Sequence, residues 1–400
     1  MPDTPTSRRT FLGASAAAPL LLSGLAGCAS APVAESLPRR AIGMPWPSWG
    51  ELPATPPGPP KAGSVGIAVI GLGGYAIGKA MPGLVAAEGT HVAAVVSGNP
   101  EKASKVAASY GVPEDAVYSY ETFARIATDD RIEAVYIVLP TGLHADWAEK
   151  AFAAGKHVIC EKPMALTPGE CERMIAAANK AQKKLMIAYR CHFEPYNLHA
   201  MQLMRDGAVG RVQTIETANC YVTGPGTPAT DWRLVRALTG GGALEDYGLY
   251  GLQAALYLTG EMPAEIRGST EQPKGDPRFT QIPATTRAEL RFPSGATAKI
   301  VTSYDLPSSN RVAVTGSEGT LLMDPATGYG GNRMRLTRDG VAEDLTPGDS
   351  NVQFARMPQH FADAIRKDTP ILTPGEMGLR DTRIIEAIYR SAETGRAVTL

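Results

Sequence analysis

Val65-Gly66-Ile67-Ala68-Val69-Ile70-Gly71-Leu72-Gly73-Gly74-Tyr75-Ala76 decides the fold of this 400-residue chain. A continuous run of apolar and glycine residues over 65–70 reads as a strand buried on both faces, the kind found inside a parallel sheet. The run ends in G-x-G-x-x-A, and a helical pattern follows at once. Gly71 allows a tight turn, Gly73 lets a pyrophosphate approach the backbone, and Ala76 permits close helix packing. Leu72, Gly74 and Tyr75 complete the loop, and amides at the helix start face the phosphates. The motif therefore predicts a dinucleotide site.

Working outward, strands and helices alternate. Residues 76–87 predict a helix, 91–96 a strand, 100–110 a helix with Pro100 in its first turn, and 134–138 a strand. Helix 141–154, strand 157–160, helix 167–181 with Thr167 as N-cap, and strand 185–188 complete the series. This rhythm predicts an α/β fold, a doubly wound parallel sheet of Rossmann type over 64–188.

After residue 189 the rhythm changes. Stretches 212–219, 264–270, 284–292, 296–304, 310–315 and 319–323 read as strands, two of them with partial alternation. Turns such as Pro293-Ser294-Gly295 suggest antiparallel neighbours. Residues 189–400 thus predict an α+β domain with an open, mostly antiparallel sheet, closed by helices over 361–366 and 378–392 that can pack back on the first domain.

Upstream of residue 64 the chain reads as address and spacer. Ser7-Arg8-Arg9-Thr10-Phe11-Leu12 resembles a twin-arginine signal, followed by a small-residue apolar run too short to span and stay. Leu25-Ala26-Gly27-Cys28 resembles a lipoprotein cleavage box, which makes Cys28 a candidate for lipidation; the alternative is an ordinary cleavage site with a chance cysteine beside it. Residues 1–28 are then the signal and 29–63 an arm, proline-rich over 45–60, with extended geometry. The expected location is periplasmic, with a membrane-anchored lipoprotein as one form. The net charge of -1 argues against nucleic acid as partner. Cys160, Cys171, Cys191 and Cys220 form no C-x-x-C pair, so no metal site is expected and buried thiols are the default. A disulfide is permitted outside the cytoplasm.

The second predicted strand ends in Ser97-Gly98-Asn99-Pro100-Glu101-Lys102. A carboxylate at this tip would select a ribose 2′-hydroxyl, and none is present. Ser97 and Asn99 can hydrogen-bond a 2′-phosphate, and Lys102 on the first helical turn adds charge. The expected cofactor is NADP; the alternative is an NAD enzyme with a hydroxyl selector.

Two further stretches carry chemistry. Cys160-Glu161-Lys162-Pro163 delivers a lysine at a strand end, stiffened by proline. Asp246 and Tyr250 follow a triple glycine, and in a helix they share one face. A carbonyl–alcohol interconversion needs a group that exchanges a proton with the oxygen. Tyr250 suits this if a nearby cation favours its phenolate, and Lys162 is the expected cation. Asp246 would orient sugar hydroxyls or hold the lysine. Taken alone, Asp246 and Tyr250 also fit a helix cap and a packed aromatic.

From Ser64 onward the chain resembles the Gfo/Idh/MocA oxidoreductase family. The likeness rests on Gly71-Leu72-Gly73, Ser97–Lys102, Leu139-Pro140, Cys160–Ala165, Tyr189-Arg190-Cys191-His192, Asp231-Trp232-Arg233-Leu234 and Met323–Tyr329. The resemblance implies that Lys162, Asp246 and Tyr250 are the catalytic set at sugar C1, with Tyr120 also at the substrate. It implies that Ser97 and Lys102 bind the 2′-phosphate, and that Leu139, Pro140, His144, Glu161, Lys162, Arg190, Trp232, Arg233 and Tyr329 line the cofactor. Many members carry histidine where Tyr250 stands. It further implies a cis bond before Pro163, a homo-oligomer (dimer or tetramer) built on open sheet faces, and an arm that reaches a neighbouring subunit. The chain ends at Leu400, without the longer tail of similar members, which leaves the assembly open.

The function expected is an exported sugar oxidoreductase with tightly bound NADP. It oxidises a glucose-like aldose at C1 to its lactone and reduces a second sugar, fructose-like or an aldose, in a ping-pong cycle. The alternatives are a dehydrogenase with exchangeable NAD(P), a glycoside hydrolase that holds NAD, and a sugar-binding protein without activity.

Overall fold

The structure, a computed structural model, describes residues 51–400. The signal, Cys28 and the first part of the arm lie outside the described residues. Residues 51–60 form no helix or strand. Leu52 packs against the chain's own core, and Pro56 approaches Gly111.

The first sheet has the strand order β3-β2-β1-β4-β5-β6, all parallel. Its strands are β1 Val65–Ile70, β2 Thr90–Val96, β3 Val117–Tyr118, β4 Ala134–Ile137, β5 His157–Cys160 and β6 Leu185–Ile187. Every residue of β1 is buried. The order reverses between β1 and β4, so their carboxyl ends open a crevice of the kind that takes a dinucleotide. The edge strand β3, two residues long, is too short to leave a periodic signal.

The helix expected over 76–87 is not uniform. It opens as a π-helical turn, Ala76–Ala80, and becomes α1 over Met81–Ala86. Pro82 has no N–H for the i−4 carbonyl, so the register loosens ahead of it. Helix α2 covers Pro100–Tyr110. The helix expected over 141–154 splits into a 3-10 turn, Thr141–Leu143, and α3, His144–Ala153. Helix α4, Pro168–Ala181, is capped by Thr167, whose side chain accepts from Glu170 N while Glu170 accepts from Thr167 N. Helix α5, Pro195–Arg205, has no counterpart in the sequence reading; Glu194 caps it by accepting from Asn197 N at 2.8 Å.

The second sheet has nine strands in the order β14-β13-β12-β11-β7-β10-β9-β8-β15. All neighbours are antiparallel except β7 with β10. The strands are β7 Val212–Val222, β8 Glu265–Glu271, β9 Thr285–Arg291, β10 Thr297–Ser303, β11 Asp305–Gly316, β12 Gly319–Met323, β13 Met334–Arg338, β14 Val341–Leu345 and β15 Val398–Thr399. The sequence reading omitted β13, β14 and β15. Asp339 and Gly340 join β13 to β14 with φ of 51° and 76°, the signature of a two-residue hairpin.

Helices cover one face of this sheet. Helix α6, Leu249–Thr259, lies on β7, so closely that a Cβ on Gly251 would meet Thr217 Oγ1 at 2.4 Å. Helix α8, Gly375–Thr394, lies on β8, where a Cβ on Gly268 would meet Ile388 O at 2.1 Å. The opposite face carries Glu216, Arg287, Lys299 and Arg311, all exposed. Helix α7 runs over Gln353–Lys367, far longer than the expected 361–366, with Pro358 inside. It packs on α1 and β2, and α8 packs on α4 and β6, so both terminal helices return to the first sheet.

Candidate active site

The cofactor loop has the form its glycines predict. Gly71 has φ 89°, and a Cβ there would fall 2.2 Å from Val138 O. A Cβ on Gly73 would meet nothing within 4 Å. The backbone at Gly73 thus faces open space at the head of the helical turn, the cradle a pyrophosphate needs. Gly74 is exposed and Tyr75 half-buried.

At the tip of β2, Asn99 caps α2 by accepting from Lys102 N at 2.9 Å, and Ser97 Oγ accepts from Asn99 N at 3.2 Å. Burial lowers Lys102 to about 8. Among the described residues the end of β2, Ser97 to Asn99, carries no carboxylate, Glu101 standing on the exposed first turn of α2, so the residues present fit the 2′-phosphate of NADP better than a bare ribose. A Cβ on Gly98 would meet Tyr120 Cε2 at 3.0 Å, and the Tyr120 ring tilts against Trp147 at 5.2 Å. Tyr120 follows edge strand β3, and three strands separate β3 from β5, the strand that leads into Lys162. The structure therefore groups Tyr120 with the ribose tip and not with the expected substrate residues.

Two strand ends meet at the carboxyl edge through His144. After β4, the Leu139 carbonyl approaches His144 Nε2 at 2.7 Å, and the Pro163 carbonyl after β5 approaches His144 Nδ1 at 2.9 Å. Buried His144 thus ties the Leu139-Pro140 turn to the lysine turn. Burial holds its imidazole below the usual range against these two carbonyls, which favour charge. The Lys162–Pro163 bond is cis. Glu161 turns inward: Tyr136 OH donates to Oε1 at 2.6 Å and Lys162 N to Oε2 at 3.2 Å. Burial raises its carboxyl despite these donors.

Lys162 meets Asp246 across the two sheets. Its Nζ donates to the Asp246 carbonyl and to Oδ1 at 3.3 Å. Tyr304 OH donates to Oδ2 at 2.9 Å, and Arg233 Nε stands 3.8 Å from it. Burial pushes the Asp246 carboxyl up, but Lys162, Arg233 and Tyr304 outweigh it and hold the group below its ordinary value. Asp246 sits in a π-helical turn, Leu244–Gly248, that leads into α6 and Tyr250. Arg233 stacks on Trp232 at 4.3 Å.

Tyr250 departs from the expectation in one respect. Lys162 Nζ lies over the ring face, 5.0 Å from its centroid, and not at the hydroxyl. The hydroxyl accepts from Arg190 Nε at 3.1 Å. Burial raises the phenol and Arg190 pulls it down, with burial prevailing. The expected lowering by Lys162 is thus replaced by a net rise with Arg190 as the opposing cation. Tyr329 bridges the two ends, 6.0 Å from the Tyr75 ring and 4.7 Å from the Arg190 guanidinium.

Sequence reasoning missed Tyr304 and the Arg190–Tyr250 bond. Arg190 leaves β6 at the same carboxyl edge as Lys162 leaves β5, and that shared edge was a usable signal. Tyr304 offered none, because its role depends on how β10 meets the π-helical turn. The four cysteines are buried and free. Among the described residues no cluster of His, Cys, Asp or Glu could hold a metal, and no helix is long and apolar enough to cross a membrane.

Comparisons with known proteins identify the family. Residues 65–189 match the oxidoreductase family with NAD-binding Rossmann fold, and residues 197–322 match the GFO/IDH/MocA C-terminal domain. A D-xylose 1-dehydrogenase [NADP(+)] from Haloarcula marismortui is 32% identical over 84% of this chain and 93% of its own length. An aldose-aldose oxidoreductase from Caulobacter crescentus, solved with glycerol, is 44% identical with a TM-score of 0.81, over 84% of this chain and all of that one. A 3-ketoreductase from Actinomadura kijaniata, solved with TDP-benzene and NADP, is 25% identical with a TM-score of 0.72, over 82% of this chain and 98% of that one. The chain belongs to the GFO/IDH/MocA family of oxidoreductases.

Proposed function

We propose that the chain is an exported sugar oxidoreductase that holds NADP through its cycle, oxidises a glucose-like aldose at C1 to the lactone, and reduces a second sugar in the same site. The observation that carries this reading is the meeting of Lys162, Asp246 and Tyr250 at the carboxyl edge beside the Gly71 loop. The relatives point the same way by name: two D-xylose 1-dehydrogenases use NADP, and one solved relative couples aldose to aldose.

NADP, when bound, supplies the two-electron carrier between the sugars. Gly71 to Tyr75 would hold its pyrophosphate, Ser97 and Lys102 its 2′-phosphate. The residues at the other end handle the proton. During oxidation Tyr250 acts as the phenolate and takes the proton of the sugar O1 hydroxyl, becoming the phenol; during reduction that phenol returns the proton to the carbonyl oxygen, restoring the phenolate. Lys162, steadied by Asp246, offers an ammonium N–H to the same oxygen. Asp246 keeps its charge because two donors, Lys162 and Tyr304, and the nearby Arg233 guanidinium converge on it.

Export supports retention of the cofactor. The Arg8-Arg9 signal carries folded proteins, and no nicotinamide pool lies outside the cytoplasm to exchange with. Protein purified without added nucleotide should show bound NADP by absorbance, and glucose alone should reduce it. A nucleotide-free protein that turns over only with added NADP would establish the second reading, a dehydrogenase with exchangeable cofactor, which the D-xylose 1-dehydrogenase relatives favour.

A further inference from the structure

We infer that Arg190 is the positioning residue of the Tyr250 hydroxyl: it fixes the phenol oxygen, leaves its proton free for the substrate, and carries the charge that stabilises the phenolate. This rests on the reading of Tyr250 as the proton-transfer group.

The guanidinium is immobilised. Nη1 donates to Gln353 Oε1 at 2.7 Å and to Gly328 O at 3.2 Å, Nη2 donates to Thr327 O at 2.6 Å, and Nε donates to Tyr250 OH. These partners come from α7, from the loop before Tyr329, and from α6. Asn310 holds that loop in turn, its Oδ1 accepting from Thr327 N at 2.8 Å and Thr327 Oγ1 at 2.9 Å.

Hydrogen-bond inventory gives the direction of the phenol proton. An arginine has five donors and no acceptor, so it can only fill a lone pair of the phenol oxygen. The O–H must then point away from Arg190. One bond therefore orients the proton and readies the oxygen for negative charge.

Charge distribution separates the two cations. Lys162 has a carboxylate, Asp246, at 3.3 Å. Arg190 is 2% exposed, and among the described residues no carboxylate lies within ion-pair distance of it. A buried cation whose partners are carbonyls, an amide and a phenol is costly. A phenolate on Tyr250 would compensate it directly. The guanidinium also lies over the Tyr250 ring at 4.5 Å, and among the described residues Tyr250 is the one ionisable side chain that it hydrogen-bonds.

The test reads ionisation separately from turnover. Tyr250 is replaced by a fluorinated tyrosine whose phenol ionises in the neutral range, and its midpoint is followed by fluorine NMR in the full chain. Arg190→Met should raise that midpoint by about one pH unit or more, a tenfold change in the ionisation constant. Arg190→Gln, neutral yet able to bond the loop carbonyls, should give the same rise and serves if the methionine variant does not fold. Arg190→Lys should recover part of the shift. An unchanged or lowered midpoint in the neutral variants overturns the inference. Full turnover in Tyr250→Phe would instead overturn the role of Tyr250 and leave the measured midpoints standing.

Discussion

The two ends of the site are built differently. The phosphate end is made of two contiguous segments, Gly71 to Tyr75 and Ser97 to Lys102, each at the tip of one buried strand. The chemical end is assembled from five segments: Lys162 after β5, Arg190 after β6, Arg233 in a 3-10 turn, Asp246 and Tyr250 at the head of α6, and Tyr304 after β10. The phosphate end needs backbone shape, which glycines and a helix start provide locally. The chemical end needs opposed charges at short range, and only packing of the two sheets supplies those.

Breaking the chemical end should therefore leave the phosphate end intact. Lys162→Ala and Tyr250→Phe should each lower turnover by about 10²–10⁴-fold, the usual worth of a proton-transfer group. Fluorescence titration should show NADP bound with little change. Retained turnover in both variants would sink the catalytic assignment. Loss of NADP affinity in Tyr250→Phe would show that the two ends are not separable.

Within the chemical end, burial pushes two adjacent carboxyls up, yet their net shifts are opposite. Asp246 faces Lys162 and Arg233 and is held down. Glu245 accepts from neutral donors only, Gly241 N at 2.7 Å and Tyr389 OH at 2.8 Å, and burial raises it from 4.5 to about 7. A folded-state value above the unfolded one means that the stability this group contributes is full below pH 4.5 and is lost as pH rises through about 7. The loss is roughly 3 kcal/mol at 1.36 kcal/mol per unit. Glu245→Gln keeps the bond from Gly241 N and reverses the other, its Nε2 donating to Tyr389 OH, and should remove that slope, so denaturant titrations between about pH 5 and pH 7 should be flatter than for the parent. Equal slopes would show that Glu245 is already ionised in the folded chain.

The same division governs what the sequence disclosed. The parallel sheet was legible because strands buried on both faces leave unbroken apolar runs, as in β1. The loops at its carboxyl edge were legible because glycine, proline and lysine mark them. Strands β13 and β14 escaped although Asp339-Gly340 announced their hairpin, since β14 is almost wholly exposed and shows no apolar alternation. The π-helical turn at Asp246 was hidden because its register is imposed by Lys162 and β10, not by propensity. Arg190 entered as a cofactor-lining residue through family resemblance alone, and its bond to Tyr250 spans 60 residues, beyond any periodic signal.

The smallest expected effect tests the phosphate end. Lys102 is lowered by burial to about 8, so its charge fades in mildly alkaline solution. A 2′-phosphate gains from that charge and a ribose hydroxyl does not. The preference for NADP over NAD should therefore fall by up to about tenfold per pH unit above the midpoint, while NAD affinity stays level. Calorimetric titrations of both nucleotides from about pH 7 to about pH 9 read this directly, and Lys102→Met should abolish the slope. A preference that holds across that range would place the discrimination in Ser97 and the α2 N-terminus instead. The helix amides there do not titrate, so the pH profile separates the two sources of phosphate affinity at one strand tip.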